Sequence, residues 1–188
     1  MSDYDVIIIG AGAAGLTAAI AFRRRCEGSA LFIDANREPG AKILATGNGR
    51  CNLSNESAPG WAATREFFGS LGVLLDTDEP SGRAYPQSRR AATIRDALIM
   101  ESKNLGCEFL LQTRVTSVVR VSEDDSFMTD TERGAFRAKQ VIVATGGKAC
   151  PRYGNRGDGY AFARSLGIKV APIRPALVPF VYTDEAKE

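Results

Sequence analysis

The sequence contains no histidine. That absence excludes every His-based catalytic triad and removes the commonest general base and metal ligand. Cysteine is scarce. Cys26, Cys51, Cys107 and Cys150 lie far apart and form no C-x-x-C, so neither a zinc site nor a local redox pair is indicated, and no metal is expected. Excess charge is lacking too. A net +2 over 188 residues gives no reason to invoke nucleic acid or an anionic membrane as a partner. The basic run Arg23-Arg24-Arg25 closes a predicted helix, where cations complement the dipole. The uncharged run over residues 6–22 is broken by glycines and is shorter than the roughly 20 residues a membrane span needs. Asp3 and Asp5 stand before it where a signal peptide would carry basic residues, so a cytoplasmic protein is expected. No internal repeat or low-complexity segment is present.

What remains is an ordinary globular composition, 44% hydrophobic and 24% charged, in a chain long enough for one domain with a sizeable core. Its organising stretch is Val6-Ile7-Ile8-Ile9-Gly10-Ala11-Gly12-Ala13-Ala14-Gly15-Leu16. Four β-branched residues in a row predict a strand covered on both faces. The glycines fall at the spacing of a dinucleotide-binding turn. Gly10 permits the sharp turn out of the strand, Gly12 lets a diphosphate approach the backbone, and Gly15 lets the next helix pack close. Unpaired N–H groups and the positive end of that helix suit a phosphate. A second apolar run, Ala30-Leu31-Phe32-Ile33, ends in Asp34, nineteen residues after Gly15. A carboxylate there accepts hydrogen bonds from the hydroxyls of an adenosine ribose and repels a 2′-phosphate.

Residues 36–52 are too rich in glycine and small side chains for regular structure, and long loops of this kind are usually functional or disordered. Lys42 and Arg50 offer charge there; Asn48, Asn52 and glycine N–H groups offer hydrogen bonds to a planar heterocycle. A helix is predicted over residues 61–71 and a short strand at Val73–Leu75. Turn-rich Glu79–Pro86 follows, then a crossover helix capped by Ser88, with Ile94, Leu98 and Leu105 on one face and Gly106 at its end. Phe109–Leu111 reads as a parallel strand. Arg114–Val121, Ser126–Asp130 and Ala135–Arg137 read as a three-stranded antiparallel meander. Gln140–Ala144 returns as a separate buried strand ending in Thr145-Gly146-Gly147. A last helix opens at Gly157-Asp158, with Tyr160, Ala163 and Leu166 at helical spacing; its start either offers N–H groups to an anion or is capped by Asp158. Pro172, Pro175 and Pro179 then argue against a central strand.

The fold class expected is therefore α/β: a Rossmann-like domain whose parallel sheet is interrupted by a three-stranded antiparallel β-meander crossover. That plan resembles the FAD domain of glutathione-reductase-type flavoproteins. Finer motifs narrow the resemblance: Thr46-Gly47-Asn48-Gly49-Arg50-Cys51-Asn52-Leu53-Ser54-Asn55, Gly82-Arg83-Ala84-Tyr85-Pro86-Gln87-Ser88, Ala144–Gly147 with Gly157-Asp158-Gly159-Tyr160, and Pro175-Ala176-Leu177-Val178-Pro179. Together they resemble the YhiN-like bacterial flavoproteins, also described as aminoacetone-oxidase-like or BaiN-type reductases, from Val6 to about Phe180. The resemblance implies FAD as cofactor, with NAD(P)H as a possible reductant. It implies that Gly10, Gly12, Ala13, Ala14 and Gly15 hold the diphosphate and Asp34 the adenosine ribose. Lys42 and Gly49, Arg50, Cys51 and Asn52 would lie toward the ribitol and isoalloxazine. Val115 would meet the adenine edge through its backbone, with Thr145 and Gly146 on the adenosine side, and Asp158 is a further expected cofactor-binding residue. Ala41 stands where the family has a basic residue, Arg156 where it has threonine, and the stretch between Asn55 and Arg83 is shorter than usual. Family chains are about twice as long. The other half is expected to hold an inserted substrate domain and a late glycine-rich segment that completes the flavin site.

The leading expectation is the FAD-binding part of a flavin oxidoreductase acting on a small molecule. Cys51 and Arg50 are the candidates for catalysis, though Cys51 reads more readily as a small residue packed beside the ring. Two alternatives stand beside it. An NAD-dependent dehydrogenase would carry a second βαβ half in place of the meander. A non-catalytic nucleotide-binding fragment would expose apolar surface and self-associate.

Overall fold

The computed structural model describes residues 3–175. In chain order the elements are β1 (Asp3–Ile9), α1 (Ala13–Arg23), β2 (Ala30–Ile33), β3 (Ser54–Asn55), α2 (Trp61–Ser70), β4 (Leu75–Asp78), β5 (Arg83–Pro86), α3 (Ala91–Asn104), β6 (Glu108–Leu110), β7 (Val115–Arg120), β8 (Phe127–Thr131), β9 (Gly134–Val143) and α4 (Asp158–Ser165). One sheet runs β6-β2-β1-β9-β8-β7 and a smaller one β3-β5-β4. β1 lies parallel to both β2 and β9, and β2 parallel to β6, while β7, β8 and the first half of β9 pair antiparallel.

The uninterrupted apolar run in β1 follows from burial on both sides. Val6 and Ile8 face Leu16, Ala19 and Ile20 of α1 and Ile94 and Leu98 of α3. Ile7 and Ile9 face the other way, into a cluster with Val115, Val118, Ala138 and Phe162. A strand with one solvated face would alternate instead. Each such side chain contributes about 1.5–3 kcal/mol when fully buried, so β1 is the strand around which the rest condenses.

Several expectations are corrected. The third meander strand and the returning parallel strand are one element. β9 pairs with β8 through residues 134–138 and with β1 through residues 137–143, so the meander is continuous with the nucleotide sheet. Nor is its second half sealed: Val143 is 41% exposed. The strand expected at Val73–Leu75 forms at Leu75–Asp78, and the turn-rich stretch before Ser88 contains β5, which pairs with β3 and β4. Short period and few apolar residues hid this sheet. Ser88 does not cap α3; Arg90 holds that position, and the Ser88 hydroxyl bonds that of Thr93 at 2.7 Å. Residues Ile43–Gly49, expected to be irregular, form 3₁₀ turns broken at Thr46–Asn48. In α4 the buried side chain is Phe162, outside the expected Tyr160–Ala163–Leu166 set. Residues 176–180 of the last motif lie outside the described residues. Among the described residues no helix is long and apolar enough to cross a membrane.

Candidate functional site

A cleft of about 1020 Å³ opens where β1, β2 and β9 end. Ligands of open α/β sheets bind at this place, outside the carboxyl ends of the parallel strands. Its floor is the turn after β1. Gly10 has φ of +102°, and a Cβ on it would sit 2.6 Å from the Ala144 carbonyl oxygen. The turn can therefore run against the end of β9 only as glycine. Gly10 N donates to Ile33 O at 2.9 Å and Ala144 N to Ile9 O at 2.8 Å, which stitches the three strand ends together. A Cβ on Gly15 would come 2.0 Å from Gly10 O, so α1 sits directly on the turn.

Gly12 precedes α1 as its N-terminal cap, and a Cβ there would meet nothing within 4 Å. The space above it is open cleft. The first N–H groups of α1 have no carbonyl one turn earlier to accept them, and the helix dipole adds positive potential. An open cradle lined by donors fits a diphosphate.

Asp34 is 9% exposed and lies at this turn. Its Oδ2 accepts from Ala11 N at 2.7 Å and its Oδ1 from Asn36 N at 2.7 Å. Each carboxylate oxygen keeps a further lone pair for a ligand hydroxyl. The backbone of the same residue binds the next segment: Asp34 N donates to Leu110 O at 3.1 Å and Thr113 N donates to Asp34 O at 3.0 Å. Val115 and Arg114 are thereby carried to the cleft wall.

The remaining wall at this end comes from the segment leading into α4. Asn36 Nδ2 donates to Tyr153 O at 3.2 Å, Asn155 Nδ2 to Thr145 O at 3.2 Å, and Gly159 N to Thr145 Oγ1 at 3.1 Å. Asp158 makes no cap bond; Gly157 is the capping residue. Its Oδ2 instead accepts from Arg114 Nη1 at 2.5 Å.

At the other end Gly40 N donates to Ala11 O at 2.8 Å, which folds residues 40–53 against the glycine turn. Lys42, Thr46, Cys51 and Asn52 line the cleft here, and Phe67 and Phe68 of α2 add an apolar side. Cys51 is 6% exposed, and burial pushes its thiol upward while a hydrogen bond with Thr46 opposes the shift. A thiol raised in this way is protonated near neutral pH and unsuited to nucleophilic attack. Arg50 is exposed, with its guanidinium carbon 5.0 Å from the centre of the Tyr85 ring.

Of the residues singled out in the sequence, Gly10, Gly12, Ala13, Ala14, Asp34, Lys42, Cys51, Asn52, Val115, Thr145, Gly146 and Asp158 all line this one cleft. Gly15 lies beneath it, and Gly49 and Arg50 fall outside its lining. Sequence reasoning missed Arg114, Asn155 and the α2 aromatics. Arg114 carried a usable signal, since it directly precedes Val115.

Residues 4–63 and 60–175 match the family described as HI0933-like protein Rossmann domain. The chain belongs to that family. Its fold is the Rossmann-like α/β fold that solved flavoenzyme structures share. The two matched stretches meet at residues 60–63, inside the segment expected to be short. A 3-dehydro-bile acid delta(4,6)-reductase of Clostridium scindens is 39% identical over 91% of this chain and 46% of its own length. A ribosomal RNA dihydrouridine synthase of Escherichia coli is 31% identical over 96% of this chain and 48% of its own. The chain thus spans about half the length of the curated relatives it matches. Among solved structures, the open conformation of a flavocytochrome c3 fumarate reductase superposes with a TM-score of 0.67 at 18% identity, covering 87% of this chain and 40% of that one.

Proposed function

We propose that this chain holds FAD in the cleft and serves a flavin-dependent oxidoreductase that moves a hydride between a small organic substrate and the flavin. The observation that carries the reading is the Asp34 carboxylate, fixed 2.7 Å from Ala11 N beside an open, donor-lined helix tip. The diphosphate rests on the N–H groups of Gly12, Ala13 and Ala14. Asp34 accepts from the adenosine ribose. Val115 meets the adenine through its backbone, and Thr145, Gly146 and Asp158 wall the adenosine side. Lys42, Cys51 and Asn52 face the ribitol and ring, with Gly49 and Arg50 shaping the loop behind them.

FAD supplies the hydride-accepting and hydride-donating chemistry when bound. Lys42 contributes positive charge where negative charge develops on the ring, a preorganised electrostatic role. Cys51 packs as a neutral thiol and is not the nucleophile. The substrate domain and the late flavin-contacting segment belong to the half of the relatives' length that this chain does not span. NAD(P)H is the reductant, and the protein works in the cytoplasm. The substrate is a small molecule and not a nucleic acid or membrane; the 39%-identical relative named as a bile-acid reductase supports this. A second reading, reduction of a base in RNA, is favoured by the relative named as a ribosomal RNA dihydrouridine synthase. Exposed apolar side chains, Leu74, Met100 and Val143 among them, give copies of the chain a surface on which to associate.

The test is to purify the chain, titrate it with FAD, ADP and NAD⁺, and identify any nucleotide it carries. FAD or ADP binding that is lost in Asp34→Ala is the expected result. Tight NAD⁺ binding with no affinity for FAD overturns the reading in favour of a nicotinamide dehydrogenase. NADPH oxidation assayed with unsaturated ketones and with ribosomal RNA then separates the two substrate classes.

A further inference from the structure

Three segments enclose the adenosine end of the cleft: residues 34–36, 113–115 and 153–158. Each pair of segments is joined by one side-chain or backbone tie. Thr113 N donates to Asp34 O at 3.0 Å, Asn36 Nδ2 donates to Tyr153 O at 3.2 Å, and Arg114 Nη1 donates to Asp158 Oδ2 at 2.5 Å. The first two ties are between neutral groups. The third is an ion pair, and both of its side chains line the cleft with about a third of their surface exposed, 29% for Arg114 and 33% for Asp158.

The location makes the charge matter. Asp158 and Asp34 are both carboxylates lining the same cleft, and the ligand inferred for it carries two negative phosphates. The Asp34 carboxylate is met by two backbone N–H groups. Asp158 has the guanidinium of Arg114 as its ion-pair partner. An unpaired carboxylate in a half-buried cleft acts on nearby charges through a lower effective dielectric than water, so its repulsion of an anionic ligand is not fully screened.

We propose that Arg114 is a positioning residue for the dinucleotide: it holds Asp158 and α4 against the start of β7 and cancels the Asp158 charge that would otherwise repel the diphosphate. The proposal rests on the nucleotide reading above. It assigns Arg114 no contact with the reacting atoms and gives Asp158 a partner already in place before any ligand arrives.

The experiment compares dissociation constants of ADP and adenosine for four forms of the chain, each checked for folding by circular dichroism and thermal melting: unaltered, Arg114→Met, Arg114→Lys and the double variant Arg114→Met/Asp158→Asn. Arg114→Met is expected to weaken ADP binding by about tenfold and adenosine by much less. Arg114→Lys keeps a cation and recovers most of the loss. The double variant, with neither charge, is expected to bind ADP several-fold more tightly than Arg114→Met alone. Equal losses for ADP and adenosine, a double variant as weak as Arg114→Met, or no loss in a folded Arg114→Met overturns the proposal. An unaltered chain that binds no adenine nucleotide overturns the nucleotide reading itself, which is a distinct outcome.

Discussion

β1 and the second half of β9 run side by side in one sheet and carry nearly the same side chains, Val6-Ile7-Ile8-Ile9 against Val141-Ile142-Val143. Their burial differs sharply. Ile7 and Ile8 are 0% exposed, whereas Val143 is 41% exposed. Composition alone would give the two strands equal weight. What separates them is cover: α1 and α3 lie over β1 on one face, and β7 and α4 close the other, while the second half of β9 receives only the margins of both clusters. A run of β-branched residues therefore specifies a strand, and the neighbouring elements specify how much of its surface leaves water.

The sharpest way to break that comparison is to truncate one residue from each strand. Ile8→Ala is expected to cost about 2–5 kcal/mol, the range for a fully buried aliphatic side chain, and Val143→Ala less than about 1 kcal/mol. Urea unfolding of the two variants checks it, and equal losses would mean that β9 is as deeply packed as β1. Next in size is the turn that joins the two strands. Gly15→Ala drives a Cβ to 2.0 Å from Gly10 O, and overpacking of this kind costs about 1–3 kcal/mol. It should also loosen nucleotide binding, since α1 must withdraw from the turn; a dissociation constant unchanged from the parent would contradict this. Asp34→Ala is expected to cost a comparable 1–3 kcal/mol, roughly, because the N–H groups of Ala11 and Asn36 lose their acceptor.

The smallest effect concerns the other link between β1 and β9, the exposed ion pair of Asp5 with Lys139 at 2.7 Å. Its hydrogen bond with Lys139, helped by Ser29, holds the Asp5 carboxyl at about 2, below its ordinary 3.8. A lowered folded-state value means the pair stabilises above the ordinary carboxylate range and stops doing so as pH falls from 3.8 through about 2. Lys139→Met should flatten that part of the acid-unfolding curve and lower stability at pH 7 by the same small amount. A large loss at pH 7 would show that the pair matters more than its exposure indicates.

Much of this was legible before any coordinates. The glycine spacing, the acid ending β2 and the antiparallel interruption before Thr145 are local patterns, each fixed by backbone geometry or by one side chain's chemistry. They located the cleft and the residues at its glycine turn, though not most of its lining. The β3-β5-β4 sheet was not legible, because its strands are short and mixed in polarity and form only by pairing with one another. Nor was the unity of β9, since a strand that changes partners midway carries no mark of the change in its sequence. Arg50 shows the reverse failure: its neighbours Cys51 and Asn52 line the cleft, yet its own side chain lies over Tyr85 outside it.

The sequence by itself determined the strand–turn–helix unit, because Gly10 and Gly15 allow a backbone path and close approaches that side chains forbid. It also determined which acid follows β2. Only the tertiary structure decided which strands share a sheet, that Val143 stays half open, and that Asp158 answers Arg114 rather than its own helix. Those outcomes depend on residues distant in sequence, and pairing and burial are set by what the fold brings alongside.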